Sequence, residues 1–129
     1  MFICIYCRVN SNGRKIARSD THNSQAKRCN DWLAKYGLKS SKRFCDDGEF
    51  IAPCYLPAFR SLIEKLRHSK EYPKIILIDH IGRLGKTEEC RRNAIELLTD
   101  QHAILIDIHR PSQEGLFYMD ILKEKEEIK

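Results

Sequence analysis

Two short segments carry the groups on which chemistry in this chain would turn. One is the end of the run Phe2-Ile-Cys-Ile-Tyr-Cys-Arg-Val9, followed by Asn10 and Ser11. The other is His80-Ile-Gly-Arg-Leu-Gly-Lys86, which follows the apolar run Ile75-Ile-Leu-Ile78. Arg8, beside an amide and a hydroxyl, is a candidate site; Arg83 and Lys86 are its counterpart at a second strand end. If the two ends meet at one edge of a sheet, they make an anion pocket with a phosphate as the natural guest. In open α/β sheets the crevice outside the carboxyl ends of the strands is where ligands sit. No G-x-G-x-x-G or P-loop pattern competes with this reading, and Gly82-Arg-Leu-Gly85 is too arginine-centred to cradle a phosphate with backbone alone. An unrelated doubly wound module binding a small phosphate ligand is therefore the weakest of the alternatives.

The other reactive residue types have plainer readings. Cys4 and Cys7 form a C-x-x-C, but three residues apart on a strand they point to opposite faces and cannot share a metal. Cys29, Cys45, Cys54 and Cys90 are scattered without zinc-site spacing, as buried small hydrophobes in a reducing cytoplasm would be. Asp46-Asp47-Gly48 reads as a turn rather than a metal pair. His80 reads as a strand-end histidine. Arg91-Arg92 reads as a solvated helix face, with phosphate contact the lesser alternative.

The chain has 129 residues, 42% of them apolar and 32% charged, which fits one soluble domain with a single core. Its net charge of +5 is unevenly spread. Residues 1–45 hold 10 Lys and Arg against 2 Asp and Glu, whereas residues 46–129 hold 13 against 16. The front of the chain is a polyanion-facing surface or a solubilising basic face, and charge alone favours the second reading. No signal peptide and no apolar run of membrane-spanning length is visible, so the expectation is a cytoplasmic protein with no membrane partner.

The elements that must position these groups follow from periodicity. Phe2–Val9 and Lys74–Asp79 are near-continuous apolar runs, as strands buried on both faces of a parallel sheet are. Lys42–Asp46 and Ala103–Ile108 are shorter strands. A helix capped by Thr21 or Asn23 runs to about Tyr36, with Cys29, Trp32, Leu33 and Tyr36 on one face and Gly37 at its end. Pro57 opens a second helix, with Phe59, Leu62, Ile63 and Leu66 on its apolar face. Residues 80–86 form a loop before a helix from Thr87 to Asp100. A last helix opens at Pro111 with Ser112 or Gln113 and carries Leu116, Phe117, Ile121 and Leu122. Strands alternating with helices imply a parallel α/β sheet.

Five segments in register resemble one family, the serine site-specific recombinases of the resolvase/invertase type. Tyr6-Cys-Arg8-Val9 is similar to that family's opening Y-x-R-V-S. Gln25, followed by Leu33 and Tyr36-Gly37, resembles its glutamine-led first helix. Phe44-Cys-Asp46 resembles its second strand with a following aspartate. Leu56-Pro57-Ala-Phe59 resembles its R-P-x-L/F helix start, and Ile81-Gly82-Arg83-Leu84-Gly85-Lys86 its L-D-R-L-G-R signature. The resemblance spans residues 2–122. It implies a resolvase-like three-layer sandwich, with a central, mainly parallel sheet of about four strands and flanking helices over 1–129. It also implies no cofactor and no metal. In the family a serine hydroxyl attacks the scissile DNA phosphate, arginines offset the charge that develops, and strands exchange within a tetramer.

This chain departs from that pattern where the chemistry is. Asn10 stands at the nucleophile position, and an amide is not a usable nucleophile. Leu56 replaces the helix-start arginine, Gly82 the signature aspartate, and Lys86 the last arginine, which keeps charge but loses the bidentate fork. Gly48-Glu-Phe-Ile51 lacks the serine-glycine pair usual after the aspartate. Arg8, Gln25, Asp46 and Arg83 remain, so the resemblance assigns phosphate or DNA contact to Arg8, Gln25, Arg83 and Lys86, with Asp46 in the family's polar site. Each lost transition-state donor typically costs roughly 10²–10³ in rate, so these losses together disable cleavage. Ser11 is a substitute nucleophile in the alternative of an active recombinase, or of one belonging to a longer active protein. A one-residue shift along a strand turns a side chain to the other face, although a loop residue escapes that rule. No helix-turn-helix or zinc ribbon follows within residues 1–129, so a DNA-reading module is not expected here. The expectation is an inactive recombinase-like domain in a phage or mobile-element setting. It would act through association with itself or another protein, with weak contact to the DNA backbone.

Overall fold

The computed structural model describes residues 1–10, 15–48 and 55–128, with side chains through Lys125. Among these residues, four strands form one sheet: β1 (Phe2–Val9), β2 (Lys42–Asp47), β3 (Lys74–Ile78) and β4 (Ala103–Asp107). Their order is β2-β1-β3-β4, and every pairing is parallel. The helices are α1 (His22–Ala34), α2 (Pro57–His68), α3 (Glu88–Asp100) and α4 (Gln113–Ile128).

The alternation of side chains along each strand divides the core in two. Cys4, Tyr6, Ile76 and Ile78 face α2 and α3, where they meet Phe59, Leu62, Leu66, Ala94 and Leu98. Ile3, Ile5, Cys7, Ile75, Leu77 and Ile106 face α1 and α4, where they meet Ala26, Cys29, Leu33, Met119 and Leu122. This is the expected three-layer sandwich, and it puts Cys4 and Cys7 on opposite faces. Burial pushes the Cys4 thiol up to about 11 and the Cys29 thiol to about 12, so neither is a thiolate near neutral pH.

Several boundaries differ from the sequence reading for local reasons. Helix α1 stops at Ala34 rather than Tyr36, because its last turn tightens: Lys35, Tyr36 and Gly37 donate to the carbonyls of Trp32, Leu33 and Ala34. Gly37 then takes φ +70°, the left-handed exit that glycine permits. Strands β3 and β4 end one residue early, at Ile78 and Asp107. The segment read as a loop contains a 3₁₀ turn, Ile81–Leu84, capped by the His80 ring, which accepts from the Gly82 amide at 3.0 Å. The inner face of α4 is only partly the expected one. Met119 and Leu122 are buried beside Gly115, while Phe117 is 68% exposed. The chain meets β4 at Gly115, where an added Cβ would lie 3.6 Å from Ile106. The inward stripe therefore runs 115, 119, 122, and Phe117 falls on the outer side.

Candidate phosphate site at the sheet switch point

The chain leaves β1 to build β2 on one side, then crosses back to build β3 and β4 on the other. The carboxyl ends of β1 and β3 thus flank the switch point, where an open α/β sheet leaves a crevice. A cleft of about 430 Å³ lies there. Arg8, Val9 and Asn10 line it from the end of β1, Gly82, Arg83, Gly85 and Lys86 from the segment after β3, and Arg91 from α3. The two basic strand ends therefore meet: an Arg83 Nη1 hydrogen points to the Arg8 carbonyl at 3.5 Å.

The end of β1 is fastened by α1. Thr21 caps that helix through Ser24 N–H, and Gln25, in its first turn, is fully buried. The Gln25 carbonyl accepts from the Arg8 amide at 3.0 Å, and its NH₂ donates to the carbonyls of Arg8 and Asp20 at 2.9 and 2.8 Å. Gln25 does not line the cleft; its amide is spent in holding the Arg8 backbone. Arg8 sends Nε and Nη2 to the Gly48 carbonyl at 3.2 and 3.1 Å, which ties the exit of β2 to the site.

Asp46 also lies away from the cleft. Its carboxylate accepts from the amides of Ala58 and Phe59 at 2.8 and 2.9 Å and from the Tyr6 hydroxyl at 2.7 Å. It is the N-terminal cap of α2, supplied from β2 because Leu56, at the cap position, has no oxygen to offer. Leu56 is buried in the core beside Phe59 and leans on Gly48, so it contributes packing and no charge to the cleft.

Asp79, which the sequence reading left unassigned, dominates the electrostatics. Its buried carboxylate takes a bidentate pair from Arg83, Nε at 2.7 Å and Nη2 at 2.9 Å, and a third bond from Arg28 at 2.7 Å. Burial works to raise its pKa, but the two guanidinium groups outweigh burial and hold it down at about 2. Burial likewise opposes charge on Arg83, and the bonds to Asp79 and Asp20 prevail and raise its pKa. Asp20 meets Arg83 Nη2 at 3.3 Å from the 3₁₀ turn Arg18–Asp20. A strand-end carboxylate four residues before an arginine was the available sequence signal.

The turn around Arg83 depends on two glycines. Gly85 has φ +139°, and a Cβ there would stand 2.6 Å from that of Cys90. A Cβ on Gly82 would stand 2.6 Å from the His80 ring, so the side chain missing at 82 is space taken by the imidazole that caps the turn. Arg91 donates Nη1 to the carbonyls of Gly85 and Lys86 at 3.2 and 3.0 Å; Arg92 faces away and pairs with Glu88 at 3.2 Å. The two arginines read together in the sequence thus have different roles. Ser11 lies outside the described residues.

No protein-family model matches the chain, and no curated protein matches it by sequence. Solved structures do. The N-terminal catalytic domain of TP901-1 integrase superposes with a TM-score of 0.68 at 20% identity, over 99% of this chain and 95% of that one. A resolvase family site-specific recombinase from Streptococcus pneumoniae gives 0.66 at 16%, over 99% and 87%. The C-terminal catalytic domain of ISC1926 TnpA, an IS607-like serine recombinase, gives 0.65 at 16%, over 92% and 76%. With its parallel β2-β1-β3-β4 sheet between two helical layers, the chain has the fold of a serine-recombinase catalytic domain.

Proposed function

We propose that this domain engages the phosphodiester backbone of DNA without cutting it, and acts by association with itself or another protein in a phage or mobile-element setting. The observation that carries this reading is the lining of the cleft. Arg8, Arg83, Lys86 and Arg91 line it together with Asn10, and its described lining residues include no hydroxyl. Phosphate oxygens would find cations there, and none of the described lining residues offers a group to attack phosphorus. Leu56 in the core, Gly82 under the His80 ring and lysine at 86 remove further groups that phosphoryl transfer would need. Among the described residues no helix is long and apolar enough to cross a membrane.

The test is binding of duplex DNA by fluorescence anisotropy across a salt series, with supercoiled plasmid incubated in parallel. Weak binding should fall with salt at a log–log slope of roughly −2 to −4, as for a few phosphate contacts, and the plasmid should stay supercoiled. Absence of binding at low salt, or nicking that Ser11→Ala abolishes, would overturn the proposal.

A further inference from the structure

Three arginines line the cleft, and they differ in which of their hydrogens are committed. A guanidinium grips an oxyanion best with the parallel N–H pair on its Nε/Nη2 edge. In Arg83 that edge is closed on the two oxygens of Asp79, and Nη2 also meets Asp20. In Arg8 the same edge is turned onto the Gly48 carbonyl. Arg91 is arranged the other way round. Its Nη1 is anchored on the carbonyls of Gly85 and Lys86, and this bonding leaves the Nε/Nη2 edge for a guest. Among the described residues no carboxylate lies within ion-pair distance of Arg91, while Arg28, Arg67, Arg83 and Arg92 each have one.

From this we infer that Arg91 is the bidentate phosphate-binding residue of the cleft, in place of Arg83. The inference rests on reading the cleft as a site for a DNA phosphodiester, and it names the residue that makes that site selective for a tetrahedral oxyanion. The mechanics are local. The left-handed bend at Gly85 turns two carbonyls toward the first turn of α3, and those carbonyls fix the guanidinium plane before any ligand arrives. A preorganised fork loses little freedom on binding. It also restores the planar donor that Lys86 does not supply. Arg83 has a different role. Held by Asp79 and directed at the Arg8 carbonyl, it braces the floor of the cleft.

The test measures duplex DNA binding by anisotropy at low salt for the whole chain and for Arg91→Ala, Arg91→Lys and Arg92→Ala, with thermal melts to compare folding. Arg92 is the control, one residue along the helix and paired with Glu88 outside the cleft. Arg91→Ala should weaken binding by roughly 10- to 100-fold. Arg91→Lys, which keeps the charge and loses the fork, should still lose about tenfold. Arg92→Ala should stay within about twofold. Should Arg91→Lys bind as the unsubstituted chain does, the inference fails while the cleft reading stands. Equal losses in Arg91→Ala and Arg92→Ala would replace the fork with bulk charge and also overturn it. If the unsubstituted chain binds no DNA, the cleft reading falls first and the inference with it. Should Arg91→Ala lower the melting temperature, Arg91→Lys decides the matter.

Discussion

Replacing Asp79 by asparagine keeps the shape of the side chain and removes the charge that two arginines share. Asp79 is only 4% exposed, Arg83 13% and Arg28 41%, so Arg28 can turn to water while Arg83 cannot readily do so. A carboxyl displaced from 3.8 to about 2 contributes about 2 kcal/mol to stability at neutral pH. The unpaired guanidinium left behind brings the expected loss in Asp79→Asn to about 2–3 kcal/mol, or a fall in Tm of about 7–10 °C. The sign with pH follows from a depressed carboxylate. Its contribution is complete above the unfolded-state value of 3.8 and is lost as pH falls through the folded-state value of about 2. Urea titrations of both proteins at several pH values isolate the effect, since the other carboxylates are common to the pair. The gap between the proteins should be full at pH 7 and less than about half by pH 2.5. A gap that does not narrow with acid, or no gap at pH 7, would refute the assignment of Asp79 as the carboxylate that holds Arg83.

Other substitutions probe neighbouring contacts. Asp20 sets an exposed negative charge beside Arg83 that repels a phosphate, so Asp20→Asn should tighten duplex DNA binding by about two- to fivefold in anisotropy, with little change in Tm. Tyr6→Phe removes a 2.7 Å bond to the carboxylate that caps α2 and should cost about 1 kcal/mol in urea unfolding. Gly82→Ala should cost about 1 kcal/mol, because the new methyl drives the His80 ring off its cap, whereas the same change in a His80→Ala background should be nearly neutral.

The parts of the fold legible in the sequence were those whose pattern is local. Strands β1 and β3 are central strands of a parallel sheet, buried on both faces, and so appear as unbroken apolar runs. The apolar face of α2 likewise declares itself by spacing, and Phe59, Leu62, Ile63 and Leu66 are all buried. The meeting of Arg8 and Arg83 was legible because sheet topology alone brings the ends of β1 and β3 together.

What was not legible depends on pairs of residues distant in sequence. The cap of α2 comes from Asp46, 12 residues before Ala58; the only local hint was a proline helix start without a capping side chain at Leu56. Asp79 meets Arg28 across 51 residues, so that half of its arginine pair could not be read from spacing, whereas Arg83 stands only four residues on. Arg91 and Arg92 look alike in the sequence, and only the carbonyls of Gly85 and Lys86 separate them. In α4 a single glycine against β4 rotated the buried stripe away from Phe117.

The proposed phosphate cleft, with Asn10 where the family resemblance puts the nucleophile, should form no covalent bond with DNA. Intact-protein mass spectrometry, after incubation with duplex DNA and a denaturing quench, reads that outcome without intermediaries. Only the unmodified mass is expected. A nucleotide adduct, mapped by peptide sequencing to Ser11 or to any other serine, would contradict it.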